Sequence, residues 1–157
     1  MTAARVAYLN ARLLDPASGL DTTGALLIED GKIAAFGAEL FKDGAPSVSA
    51  VIDCEGRCLA PGLVDMRVQL REPGEEHKET IETASHAAAA GGVTTMVALP
   101  NTAPVIDDVS VVEFMHRRAN ETGAVKVRCY GSVTRGTNGE QLTEMGLLAE
   151  AGAVAFT

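Results

Sequence analysis

Residues 65–71 read Asp-Met-Arg-Val-Gln-Leu-Arg. In an extended chain Asp65, Arg67, Gln69 and Arg71 share one face, and Val64, Met66, Val68 and Leu70 share the other. Four polar groups on one side of a strand that should be buried are unusual. In a parallel barrel, inward polar side chains near a C-terminal strand end face the catalytic mouth. The segment follows a Pro61-Gly62 turn and runs into Arg71-Glu72-Pro73-Gly74. A second loop, Pro100-Asn101-Thr102-Ala103-Pro104, closes the next strand candidate. Simpler readings stand beside the chemical ones: Arg71 could form an interstrand ion pair, and Asn101 could be a turn former.

Other reactive residue types are scattered. His77 falls in the loop after the polar strand, where it could reach the mouth of a barrel, whereas His86 and His116 lie within separate helical patterns and read as surface or satisfied helical histidines. Ser85 and Ser110 have no base partner in view, which leaves a serine hydrolase without support. Cys54 and Cys58 are not matched by a second Cys or His pair, so buried or half-buried thiols are expected there rather than zinc. The pairs Glu75-Glu76 and Asp107-Asp108 read as helix-start charges.

The elements that must position these residues fall into two rhythms. Residues 1–60 carry short β-rich runs at 6–9, 25–28, 33–36 and 51–54, with an Asp30-Gly31 hairpin turn, and predict a small antiparallel β-domain. Residues 61–157 alternate strand and helix: strands over 63–70, 94–99, 125–133 and 154–157, and helices over 79–90, 108–120 and 140–151. Gly91-Gly92 should close the first helix, and Arg117 and Arg118 should complement the dipole at the end of the second. No G-x-G-x-x-G follows a strand candidate, which disfavours a dinucleotide-binding sheet. The last strand candidate has no helix after it, as expected of a chain that is cut off.

With 157 residues, 46% hydrophobic and 22% charged, the chain has material for a real core. A net charge of −8 argues against nucleic acid and anionic membranes as partners. Three cysteines and no leader pattern predict a reducing cytoplasm. No apolar run approaches the ~20 residues of a membrane helix.

In order and spacing, Pro61-Gly62, Asp65, Arg71-Glu72-Pro73-Gly74, Gly91-Gly92-Val93-Thr94-Thr95 and the Pro100–Pro104 loop resemble dihydroorotases of the cyclic amidohydrolase family, over nearly the whole chain. Allantoinases and hydantoinases share much of the pattern. Lys78-Glu79-Thr80-Ile81 and the closing residues 152–157 look more like dihydroorotase. The resemblance implies an α/β fold: a small β-sandwich-like domain, incomplete here, followed by about the first four strands of a (β/α)8 TIM-type barrel. It also implies zinc held first by a His-x-His pair, and those positions are Arg67 and Gln69. A guanidinium has no lone pair to offer, and a Gln amide is a poor zinc ligand beside imidazole. The further ligands and the catalytic aspartate of the family lie beyond Thr157. The expectation is therefore a noncatalytic homologue with no metal in this chain. Arg71 and Asn101 match the family residues that hold the carboxylate of dihydroorotate. The implied partners are aspartate transcarbamoylase, whose assembly inactive homologues can support, or a second copy of the chain. The competing expectations are an active zinc-dependent enzyme interconverting dihydroorotate and carbamoyl aspartate, a related cyclic amidase, or a partial chain without independent function.

Overall fold

The computed structural model describes residues 5–44 and 47–157, so positions 1–4, 45 and 46 of the expected β-domain lie outside the described residues. The chain divides into two compact units, Met1–Pro61 and Gly62–Thr157.

The first unit is one five-stranded sheet built from β1 (Arg5–Asp15), β2 (Leu20–Glu29), β3 (Lys32–Gly37), β4 (Ala50–Asp53) and β5 (Cys58–Leu59). The β2–β3 turn forms at Asp30-Gly31, where both residues take positive φ (49° and 74°), as a type I′ turn requires. The expectation of an antiparallel domain needs correcting. β1 pairs antiparallel with β2, but β4 and then β5 run parallel to it on its other edge. A bulge explains the change of partner. Tyr8 pairs with Leu26 and Ala11 with Gly24, which leaves an extra residue in β1, and Asn10 sits there at φ 54°. Its side chain donates to Asp53 and its carbonyl accepts from Gly56, so the bulge is where β4 ends and the turn to β5 begins. Ala7, Ala11, Leu13, Ala25 and Leu27 are buried.

The second unit has the parallel sheet predicted. Its strands are β6 (Leu63–Val68), β7 (Val93–Ala98), β8 (Lys126–Gly131) and β9 (Ala155–Phe156), adjacent in chain order. Helices α1 (Ile81–Ala90), α2 (Val109–Thr122) and α3 (Met145–Glu150) connect them. Ile81 and Ala84 of α1, Val112 and Met115 of α2 and Leu148 of α3 join Met96, Ala98, Val127 and Cys129 in one core. All three helices therefore cover the same face of the sheet, whereas a doubly wound sheet divides its helices between two faces.

Helix starts follow the sequence. Thr80 caps α1 through a reciprocal bond with Thr83, and Asp108 caps α2 by accepting from Ser110. Gly91 caps the end of α1, and Gly92 takes the positive φ of 77° that turns the chain into β7. The third helix is shorter than expected. Residues 140–144 are held instead by a Thr134–Leu142 bridge and by the Thr143 hydroxyl, which donates to the Ser132 carbonyl at 2.7 Å. Glu75 and Glu76 are likewise not helix-start charges, because they precede the Thr80 cap in a loop. Among the described residues, no helix is long and apolar enough to cross a membrane.

Candidate functional site

The C-terminal ends of β6 and β7 bring the motif loops together. The Leu99 amide donates to the Val68 carbonyl at 2.8 Å, and the Ala103 amide to the Pro73 carbonyl at 3.0 Å. Gly74, at φ 102°, lies so close to the second loop that a Cβ there would stand 2.1 Å from the Ala103 carbonyl oxygen. The close approach accounts for glycine at this position. Arg71 and Asn101 thus sit on adjoining loops. Asn101 is exposed, and its side chain makes no hydrogen bond among the described residues.

β6 is not a regular strand. Asp65 pairs with Met96 and Val68 with Ala98, three residues against two, so a bulge spans Met66 and Arg67. The Asp65 carboxylate accepts from the Arg67 amide at 3.0 Å, and the Tyr130 hydroxyl donates to the Met66 carbonyl at 3.0 Å. The bulge thereby satisfies backbone groups that the ladder would otherwise have paired. Beyond it Val68 and Leu70 pack into the core, while Arg67 and Gln69 are exposed. Val64 and Met66, expected on the buried face with them, are 58% and 64% exposed. The bulge breaks the alternation, and among the described residues β6 is the edge strand of its sheet.

Arg71 is held from two sides. It donates to the Gln69 side-chain oxygen at 2.9 Å and to Glu75 at 3.2 Å. Glu75 also accepts from Lys78, and that bond is the main reason its carboxyl titrates below the usual range, with Arg71 adding to the effect. The ion pair expected of Arg71 on the simpler reading does form, although locally, with Glu75, rather than across strands.

Sequence reasoning missed Glu72. Its side chain is 6% exposed and accepts from Arg118 at 2.6 Å and from the Ile81 amide, at the start of α1, at 2.8 Å. The pairing raises the Arg118 pKa. Arg118 is therefore a bracket between α2 and the motif loop, not a charge for the helix dipole. Ser85, fully buried, similarly ties α1 to the segment before β8: it donates to the Glu82 carbonyl and accepts from the Ala124 amide. The place of Glu72 within the Arg71–Gly74 motif was the available signal for the first; nothing in the sequence marks the second.

His77 and His86 are exposed. His116 is half-buried, and its Nε2 is enclosed without a partner, so it is neither a surface nor a satisfied histidine. Cys54 is half-buried, as expected, but Cys58 is exposed. Zinc does not fit the residues present. Arg67 has no lone pair and Gln69 is already engaged by Arg71, and among the described residues no three His, Cys, Asp or Glu side chains cluster as a metal set would.

A family profile described as dihydro-orotase-like matches residues 56–157. A dihydroorotase from Wolbachia sp. subsp. Brugia malayi is 54% identical over 154 residues, 98% of this chain and 34% of that protein. One from Pelobacter propionicus is 47% identical over 94% of this chain and 34% of its own length. The chain thus spans about a third of the curated relatives it matches. Among solved structures, the L-hydantoinase from Arthrobacter aurescens superposes with a TM-score of 0.82 at 29% identity, covering 96% of this chain and 32% of that one. A dihydroorotase crystal structure, at 19% identity and a TM-score of 0.59 over 98% of this chain and 42% of its own, shares the fold. The profile match, the relatives and the joined motif loops lead to one conclusion: the chain belongs to the dihydroorotase-like family.

Proposed function

We propose that the chain is a noncatalytic dihydroorotase-type module, built as about the first four strands of a (β/α)8 barrel preceded by part of a β-sandwich. The carrying observation is the pair Arg67 and Gln69 at the end of β6, with Gln69 bonded to Arg71 where the family pattern has a metal-binding imidazole. Hydrolysis of a cyclic amide in this family needs a metal to lower the pKa of bound water, and neither side chain can help to hold one. Recognition of a carboxylate remains within reach of Arg71, a guanidinium suited to bidentate pairing, and of Asn101, an amide free to donate. The reading assigns the chain a place in pyrimidine biosynthesis and a supporting role in assembly with aspartate transcarbamoylase. That role draws on the family resemblance and on the uncovered apolar edge of β6.

The test is metal analysis after dialysis against a chelator, alongside an assay of carbamoyl aspartate cyclisation. The expected result is no stoichiometric zinc and no turnover; zinc with turnover above background would establish the active enzyme instead. Arg67→His with Gln69→His should restore neither. Co-sedimentation with aspartate transcarbamoylase tests the partner, and independent migration of the two would remove it.

A further inference from the structure

We propose that Gln69 is the positioning residue for Arg71: its neutral amide orients the guanidinium while leaving the positive charge available to a ligand carboxylate. This rests on the reading above that Arg71 meets a carboxylate.

A guanidinium presents five N–H donors in a fixed plane. Gln69 takes one from one terminal nitrogen at 2.9 Å, and Glu75 takes one from the other at 3.2 Å. Two acceptors on different nitrogens fix the plane and still leave donors free. The charge count decides what the free edge attracts. Arg71 and Lys78 share the single carboxylate of Glu75, so the cluster has a net charge of +1 within a chain of −8. Gln69 adds an acceptor without changing that sum. A glutamate of the same shape would bring it to zero. Arg71 is 31% exposed, so solvent can reach it but does not fully screen it. Loss of the family imidazole at position 69 is therefore a gain of an orienting acceptor for the neighbouring anion-binding group.

The experiment is calorimetric titration of the full chain with succinate, a small dicarboxylate, at low ionic strength. Gln69→Met is nearly isosteric but lacks a strong acceptor, and should weaken binding by about three- to tenfold, the scale of one hydrogen bond. Gln69→Glu keeps the acceptor but neutralises the cluster, and should weaken it by about tenfold or more. Glu75→Gln removes the competing carboxylate, and should tighten binding by about threefold. A residue with only a structural role would not give opposite signs for Gln69→Glu and Glu75→Gln. Wild-type affinity in both Gln69 variants, or no succinate binding by the wild type, overturns the inference. Neither result touches the noncatalytic reading, which stands or falls on zinc and turnover.

Discussion

A buried carboxylate must be paired, and Glu72 shows how strictly this holds at the scale of one residue. It is the buried acidic side chain among the described residues, and its two oxygens are assigned separately, one to Arg118 and one to the first amide of α1. The two halves of the ion pair are not equivalent. Arg118 is 33% exposed and has Glu121 at 3.9 Å, so it can turn to water if Glu72 is lost. Glu72 has no such escape. Arg118→Ala should therefore destabilise by about 3 kcal/mol and Glu72→Ala by about 2 kcal/mol. Urea unfolding of both variants measures the order, and equal or reversed losses would show that the carboxylate is better solvated than its burial implies. A second residue-scale expectation concerns the thiols. Burial pushes the Cys129 pKa up to about 11, whereas Cys58 is exposed. At pH 8 a thiol reagent should label Cys58 rapidly and Cys129 only on unfolding, because the thiolate is the nucleophile. Rapid labelling of Cys129 in the folded chain would contradict its burial. The motif positions themselves were legible because they are fixed by spacing. The pairings of Glu72 with Arg118 and of Ser85 with the Ala124 amide were not, since those partners lie dozens of residues away.

At the scale of elements, local chemistry was readable and pairing was less so. The caps at Thr80 and Asp108 and the Asp30-Gly31 turn formed where short-range rules place them. The bulges at Asn10 and at Met66-Arg67 are set by the neighbouring strand, and no residue pattern announced them. The third helix failed because the segment before it found a strand-like partner in Thr134. The packing of α2 likewise gives His116 an environment its sequence position did not suggest. A Cβ on Gly152 would lie 2.3 Å from the imidazole Cε1, so this glycine makes room for the ring. Burial, with a smaller contribution from the positive charge of Arg128, holds the His116 pKa below its ordinary 6.5. The unfolded chain then takes up the proton first as the pH falls, so the stability present above about 6.5 is lost as the pH drops through the folded value. Melting temperature should decline between pH 7.5 and 5.5, above most carboxylate titration, and the decline should flatten in His116→Leu. An unchanged slope in that variant would assign the acid sensitivity elsewhere. Gly74→Ala offers a backbone counterpart. With its Cβ against the Ala103 carbonyl and a positive φ to maintain, it should cost about 3 kcal/mol and separate the two motif loops. A melting curve close to the wild type would mean that the loops part without consequence.

For the whole molecule, the question is what the apolar surface does. Leu63, Val64 and Met66 along β6 are 61%, 58% and 64% exposed, and β6 is the edge of its parallel sheet. In the first unit, Ile33 and Phe36 border an open cleft of roughly 450 Å3 lined by Tyr8, Leu26 and Ile28. Parallel strands are ordinarily covered on both faces, and an apolar strand with one edge unpaired presents free backbone groups beside an adhesive surface. A few hundred Å2 of such surface, at roughly 25 cal/mol per Å2, amounts to several kcal/mol, of the same order as the entropy lost on docking, so association through it is weak and depends on concentration. Net charge works the other way, since −8 on each copy opposes contact at low salt. The purified chain is therefore expected to self-associate with rising concentration and more strongly as salt screens the repulsion. Val64→Glu with Met66→Glu should shift it toward monomer, because both changes place charge on the β6 edge and add to the net negative charge, and should do so without lowering the melting temperature, because both side chains are already in water. Sedimentation velocity across concentration and ionic strength measures this. A monodisperse monomer with a cooperative unfolding transition under all those conditions would show that the exposed strand is tolerated in water, and that neither a second copy nor another protein is needed to cover it.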